Sequence, residues 1–231
     1  MGLLGEAAMV AWYDIAPEAT SEHDDWHSHE HMPERLGIPG FLRGRRWVAP
    51  SGSPQYFVMY EVENFETLTS KPYLERLNNP TPWSKKMMAH FRNMTRSLCR
   101  LTGSFGAGMG QTLLTIRLSP VAGEEDALRG WLTESVLPGL AARWGIVGAH
   151  LLEAEKQVGQ PQTKEQELRG GDAAADWVVL AEGCDSDTVI SVLEKEFGGQ
   201  VLARHGACPE QVTAAYRLAF ALTDRDSALS T

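Results

Sequence analysis

Short apolar runs of strand type alternate with longer amphipathic stretches along this chain, and the whole alternation occurs twice. Laid without gaps over WLTESVLPGLAARWGIVGAHLL from Trp131, the string WHSHEHMPERLGIPGFLRGRRW from Trp26 brings Trp26 onto Trp131, Pro33 onto Pro138 and Gly40 onto Gly145, an offset of 105. A strand-like run precedes each Trp, at 9–15 and 112–118, and a second follows each Gly, at 41–48 and 146–153. Further on, YFVMYEVENFETL from Tyr56 lies over WVVLAEGCDSDTV from Trp177, and SLCRL from Ser97 over AAYRL from Ala214. Shifting offsets between these matches mark changes in loop length.

Each half therefore reads strand, helix, strand, strand, helix, strand, a ferredoxin-like order within the α+β class. The first helix is predicted to open at Ser21, with Asp24 three residues on as a capping-box-like pair, and to close near Gly37. The second begins near Asn64 in one half and near Asp185 or Ser186 in the other, and PTPWSKKMMAHF at 80–91 adds a helical stretch. Pro33 and Pro138 interrupt otherwise helical patterns and predict a bend common to both halves. GSFGAGMG at 103–110 marks the joint, dividing the chain into repeats 1–105 and 106–231. The stretch 156–175 is polar, has no apolar period and is expected to be a mobile surface loop. A sheet covered by helices on one face leaves the other bare, so the two repeats are expected to pack sheet to sheet as a closed or nearly closed barrel within one chain.

Composition narrows the function classes. A formal charge of −9 opposes a nucleic-acid partner, whose phosphates call for Lys and Arg. No apolar window reaches the length of a membrane span, and the start MGLLGEAAMVAWYD lacks a cationic stretch, so a cytoplasmic location is expected. Cys99, Cys184 and Cys208 are odd in number and have no CxxC spacing, which favours reduced thiols over a disulfide framework.

Candidate chemistry lies where the halves differ. HDDWHSHEH at 23–31 crowds four histidines and three carboxylates into nine residues, whereas the second half places Leu132 under His27, Glu134 under His29, Ser135 under Glu30 and Val136 under His31. His23, His27 and His31 recur every four residues along one helical face, and imidazoles beside carboxylates make a proton-transfer set. His27, Glu30 and His31 also match H-x-x-E-H, a zinc-binding spacing, but no third ligand is evident and Pro33 disturbs the turn, so no metal is assigned. On the following strand, alternation puts Arg43 and Arg45 on one face with Phe41 and Trp47, and Arg46 on the other. An inward Arg45 would pair with Glu30 or Glu61 or bind a substrate anion. Tyr60 and His90 are further candidates for a cavity wall. No phosphate-binding loop or nucleophile elbow occurs, and no cofactor is predicted.

The Trp26 string, together with NPTPWSKKMMAHFRNMTR from Asn79, resembles the EthD-like branch of the dimeric α+β barrel superfamily, whose first helix carries a His-x-Pro segment after an acidic residue. Here that segment is Glu30, His31, Met32, Pro33. The resemblance spans most of 5–105 and more weakly 110–225, where Val136 replaces the histidine. It implies two fused repeats forming an intramolecular dimeric α+β barrel, with a pocket between sheet and helices in each half; the departures in the second half leave one working pocket expected, in the first. Relatives of that superfamily include cyclases, isomerases, cofactor-free monooxygenases and haem-degrading enzymes, so the likeness leaves the reaction open.

Together these readings give a cofactor-independent enzyme of isomerase, lyase or cyclase type acting on a small carboxylated or phenolic metabolite, as a monomer or homodimer. His27 or His31 is the expected general acid or base, Glu30 its orienting partner and Arg45 the stabiliser of negative charge. Trp26, Arg43, Tyr60 and His90 are expected to hold the substrate. Two alternatives stay open: a non-catalytic small-molecule binder or catabolic-complex subunit, and a metal-dependent hydrolase or oxygenase using the HSHEH segment.

Overall fold

A computed structural model of the chain describes residues 2–52, 54–155 and 162–228. Its strands are β1 (Ala7–Ile15), β2 (Phe41–Val48), β3 (Tyr56–Val62), β4 (Phe91–Gly106), β5 (Thr112–Leu118), β6 (Ile146–Ala154), β7 (Trp177–Gly183) and β8 (Val212–Thr223). Its helices include α1 (Thr20–Trp26), α2 (Met32–Leu36), α3 (Lys71–Asn78), α4 (Pro82–Met88), α5 (Glu125–Trp131), α6 (Leu137–Ala141), α7 (Lys164–Arg169) and α8 (Ser186–Glu196). The class is α+β, and the hydrogen-bonded strand order β1-β3-β2-β8-β5-β7-β6-β4 closes on itself, the topology of an eight-stranded barrel.

The chain divides into two compact units that do not follow its halves strictly. One comprises 4–99, 155–174 and 219–231; the other comprises 1–3, 100–154 and 175–218. In the first, β3 lies between β1 and β2, both pairings antiparallel. Met9, Ala11 and Tyr13 of β1 and Tyr56, Val58 and Tyr60 of β3 share one face, and helices carrying Trp26, Met32, Leu36, Tyr73 and Met87 close over it. The second unit repeats the plan with β7 between β5 and β6. Its core is mainly aliphatic, with Leu128, Leu132, Leu137 and Leu140 set against Leu114, Ile116, Leu151 and Val179, and Trp177 and Phe197 as its buried aromatics.

Both expected bends are present, in a particular form. Between α1 and α2 the backbone makes a π-helical turn over His27–His31, and between α5 and α6 another over Leu132–Val136. The Met32 amide reaches back five residues to the His27 carbonyl, so the wide turn absorbs the residue that Pro33, lacking an N–H, would otherwise leave unaccommodated. Gly40 and Gly145, which close the matched segments, have φ of +90° and +82°, a region that L side chains enter with strain.

Three expectations change. Ser21 and Asp24 form no capping box: a 3-10 turn (Pro17–Ala19) leads into α1, whose N-cap is Ala19, and Asp24 is engaged elsewhere. A β-bulge between Phe41 and Arg43 separates Phe41 from the arginines. Phe41 joins the helix-covered core, while Arg43, Arg45 and Trp47 occupy the opposite face of β2. Within 156–175, residues 156–161 lie outside the described residues; the remainder is no structureless loop but holds α7, opened by a reciprocal capping box between Thr163 and Gln166. Cys99, Cys184 and Cys208 are free thiols.

Candidate functional site

The wide turn decides which side chains face inward. Spacing by four on a backbone of more than four residues per turn keeps His27 and His31 aligned, with ring centroids 5.4 Å apart, and both are buried. They look onto an inner cavity of about 40 Å³ beneath the helices of the first unit, with Met9, Ala11, Tyr13, Val58 and Tyr60 as its floor. Arg35, Tyr73, Arg96, Glu165 and Arg169 complete its polar walls, and Leu77, Met88, Phe91 and Met94 its apolar ones. A larger cavity of about 380 Å³ adjoins it, sharing Leu77 and Arg96 and bounded by Leu68, Asn78, Gln162 and Gln166.

Four buried polar atoms of the inner wall have no hydrogen-bond partner: Nδ1 of His27, Nδ1 of His31, the Tyr60 hydroxyl and Nη1 of Arg35, the last 3.6 Å from Glu34. An unsatisfied buried group costs about 1–3 kcal/mol, so a fold retains several of them around one cavity only under some other pressure. Burial, and then the neighbouring His31 and arginine charges, hold His27 well below the ordinary imidazole range. Burial, Arg35 and Arg169 do the same for His31. Both rings are therefore neutral at neutral pH and can accept a hydrogen bond or a proton. Burial pushes the Tyr60 phenol up, so it stays protonated.

Arg35 is one of three guanidinium groups lining this site, with Arg96 and Arg169. Burial alone would lower its pKa, but Glu165, Tyr73 and Glu34 outweigh that and raise it. Its Nη2 donates to Glu165, which projects from α7 and also lies 3.6 Å from Arg169. Arg169 is held by Asp172 through two nitrogens, and Arg96 donates to the Tyr73 hydroxyl at 2.8 Å.

Behind Tyr13 runs a second polar group. Asp24 Oδ1 lies 3.1 Å from His23 Nδ1, and His23 Nε2 lies 3.1 Å from the Tyr13 hydroxyl. Tyr56 donates to the same Asp24 oxygen at 3.0 Å. Burial would raise the Asp24 carboxyl, but the bond from His23, the Arg46 charge and the Tyr56 hydroxyl outweigh it and keep it ionised. His23 is fully buried, and that burial lowers its pKa against the opposing pull of Asp24.

Of the residues singled out in the sequence, His27, His31 and Tyr60 meet at the cavity. Glu30 does not orient an imidazole: it accepts from Trp26 Nε1 at 3.1 Å, Thr81 Oγ1 at 2.6 Å and Ser84 Oγ at 3.2 Å, and so ties the turn to α4. Trp26 is buried behind His31, with ring centroids 4.4 Å apart, and is no cavity wall. Arg43 and Arg45 both bind Glu61 on the far face of β2, and Arg45 stacks over Trp47, so neither reaches the imidazoles. Arg46 is the arginine of β2 on the histidine side, donating to Ser28 and to the Asp24 carbonyl. His90 lies after α4, away from the cavity. Arg35 had a legible signal, since it continues the four-residue series 23, 27, 31. Tyr13 had only its place on a strand face, and Glu165 and Arg169, in a polar insertion, had none.

Zinc fits this arrangement poorly, because Glu30 faces away from both imidazoles, and among the described residues no three His, Cys, Asp or Glu side chains converge as a metal site.

No family model and no curated protein matches the sequence. Solved structures do match in fold: an anthrone oxidase-like protein at 10% identity, TM-score 0.67, over 97% of this chain and 96% of that one. A Fusobacterium nucleatum protein provisionally named a monooxygenase follows at 6% identity, TM-score 0.60, over 96% of each chain. A haem-binding protein from Thermus thermophilus matches at 10% identity, TM-score 0.51, over 98% of this chain and 95% of that one. At such identities the likeness establishes a fold of the dimeric α+β barrel kind and leaves chemistry to the residues. Haem fits those residues poorly: ligand pockets of that size class need about 300–1,000 Å³, whereas the space directly before His27 and His31 is about 40 Å³ and is lined by Arg35, Arg96, Glu165 and Arg169.

Proposed function

We propose that the first unit is a cofactor-independent enzyme performing proton transfer on a small carboxylated or phenolic metabolite, in the manner of an isomerase, lyase or cyclase. The observation that carries this reading is the pair of neutral, buried imidazoles whose Nδ1 atoms lack partners and adjoin a cavity walled by a guanidinium. A substrate held with its body in the larger cavity presents an acidic C–H or O–H to His27 and His31, and its anion meets Arg35, the role the sequence suggested for Arg45. Tyr60 donates a hydrogen bond to the same anion. Glu30, His31 and Pro33 remain the support for placement in the EthD-like branch, and Glu30 serves by fixing the turn through Thr81 and Ser84.

The test is wash-in of deuterium from D2O into a panel of small enolisable carboxylic acids and phenols, followed by proton NMR. Enzyme-dependent exchange is expected, and replacing His27 and His31 together by Gln should slow it about 100-fold or more. Tight binding without exchange would make the protein a binder and overturn the reading, as would exchange that ignores the double substitution. Dioxygen consumption in step with exchange would shift the chemistry from rearrangement to oxidation of the same anion and overturn the isomerase or lyase class.

A further inference from the structure

His27 and His31 can receive a proton but are poorly placed to keep one. The groups bearing on them are Arg35, Arg46, Arg169, His23, each other and the neutral Tyr60; Glu165 lines the same cavity but is bonded to Arg35, and among the described residues no carboxylate is bonded to either ring. His23, one turn earlier, has what they lack. Its Nδ1 faces a carboxylate, which can only accept, so that nitrogen carries the hydrogen and Nε2 presents its lone pair to the Tyr13 hydroxyl. Tyr13 in turn lines the inner cavity, while Asp24 at the other end is 43% exposed. A continuous row of hydrogen bonds thus runs from the cavity to the surface, and nothing in the roles given above uses it.

We propose that Tyr13 is the catalytic residue through which the substrate's proton leaves the inner cavity, with His23 and Asp24 as positioning residues that receive it; the proposal rests on the proton-transfer reading. In the step, the substrate's C–H or O–H bond breaks and its electron pair stays on the substrate as an anion beside Arg35. The released proton bonds to the Tyr13 oxygen as Tyr13's own proton bonds to His23 Nε2. The resulting imidazolium is paired with Asp24. It either returns a proton through Tyr13 to a different atom of the anion, which completes an isomerisation and restores the starting tautomer, or exchanges its Nδ1 proton with water at Asp24 and, after the ring turns over, delivers that solvent proton through Tyr13 to the anion, which regenerates the substrate and the starting tautomer. His27 and His31 then hold and orient the acidic group through hydrogen bonds and remain neutral throughout.

The groups facing His23 are Tyr13 from β1, Arg46 from β2, Tyr56 from β3, and Asp24 and His27 from its own helical segment. Two measurements test the proposal. Phenylpyruvate, a small enolisable aryl carboxylate, serves as the probe, with exchange of its benzylic hydrogens in D2O followed by NMR. Tyr13→Phe, which keeps the ring packing on Tyr56 and Phe91, should lower kcat about 100-fold with KM unchanged. Asp24→Asn should lower kcat and displace the acid limb of its pH profile, a change that loss of packing alone would not produce. Independently of any substrate, nitrogen-15 NMR of the imidazoles should show hydrogen on His23 Nδ1, and on acidification His23 should gain its proton before His27 and His31. Exchange that survives Tyr13→Phe at the wild-type rate overturns this proposal and leaves the proton-transfer reading standing. Absence of exchange in the wild-type protein removes both. Hydrogen on His23 Nε2, or earlier protonation of His27 or His31, overturns the route through Tyr13 whatever the kinetics.

Discussion

Replacing Glu165 by Ala removes the carboxylate that neutralises Arg35 inside the first unit. Both side chains are almost fully buried, at 2% and 4% exposure, so water cannot take the place of the missing charge. Breaking a buried pair from one side costs about 3–5 kcal/mol. Glu34, 3.6 Å from Arg35 Nη1, remains as a weaker acceptor and puts the expected loss near the lower end, about 3 kcal/mol. For a chain of this length that is about 6–12 °C in Tm. α7 has only six residues, and if its docking is worth less than about 3 kcal/mol it will detach before the unit unfolds. The assay therefore pairs thermal unfolding with amide hydrogen exchange over 164–169. Either Tm drops by that amount, or those amides lose protection while Tm changes little. Adding Arg35→Met to Glu165→Leu should recover much of the loss, since an apolar pair of similar size leaves no charge uncompensated. An Ala variant with wild-type Tm and wild-type protection of 164–169 would refute the idea that this pair holds α7 over the cavity.

Acidification should destabilise the fold through its buried histidines. His23, His27 and His31 are all held below their ordinary value in the folded state, so between about pH 6.5 and their folded pKa values the unfolded chain binds protons that the native one refuses. Unfolding free energy, constant with respect to these groups above that window, should fall through it by up to about 1.4 kcal/mol per pH unit for each histidine, as urea titrations at pH 7.5 and 5.5 would show. Thr81→Ala removes both the cap on the Ser84 amide and the 2.6 Å bond to Glu30, and should cost about 1–2 kcal/mol in urea unfolding. His27→Leu with His31→Val installs the residues of the matched positions in the second half. It should abolish deuterium exchange into substrate yet raise unfolding free energy at pH 7 by about 1–3 kcal/mol for each unsatisfied nitrogen removed.

Much of the scaffold was legible because it is written twice. Matching Trp26, Pro33 and Gly40 with Trp131, Pro138 and Gly145 located the turn before each proline and the positive-φ glycine after it. The histidine row was legible for a similar reason, since spacing by four survives a π turn better than an ideal α-helix, where residues four apart drift around the axis. What failed depended on single residues of register or on distant chain. One extra residue in β2 turned Arg43 and Arg45 away from the site, and alternation counted from Phe41 cannot anticipate a bulge. Glu30 shares a helix with the histidines but points along the Trp26 row, toward an α4 cap that is 51 residues away. Glu165 reaches Arg35 across 130 residues from a segment with no apolar period, so only the folded chain reveals the partnership.

The contrast between the units shows that the polar row is not something the turn itself requires. Positions 23, 27, 31 and 35 hold His, His, His and Arg; the matched positions 128, 132, 136 and 140 hold Leu, Leu, Val and Leu, all buried in a mainly aliphatic core. The same π turn forms over both sets, so the turn itself asks for neither imidazole nor guanidinium. A chain under pressure for stability alone would reach the aliphatic solution in both places, because it leaves no buried atom unpaired and needs no carboxylate from α7 to balance a cation. The first unit instead retains unpartnered polar atoms on His27, His31 and Tyr60, a buried arginine and a helix from a remote insertion that covers them. In this arrangement Glu165 and Asp172 compensate the guanidinium groups, and the proposed reading assigns the unpartnered imidazole nitrogens to a small substrate.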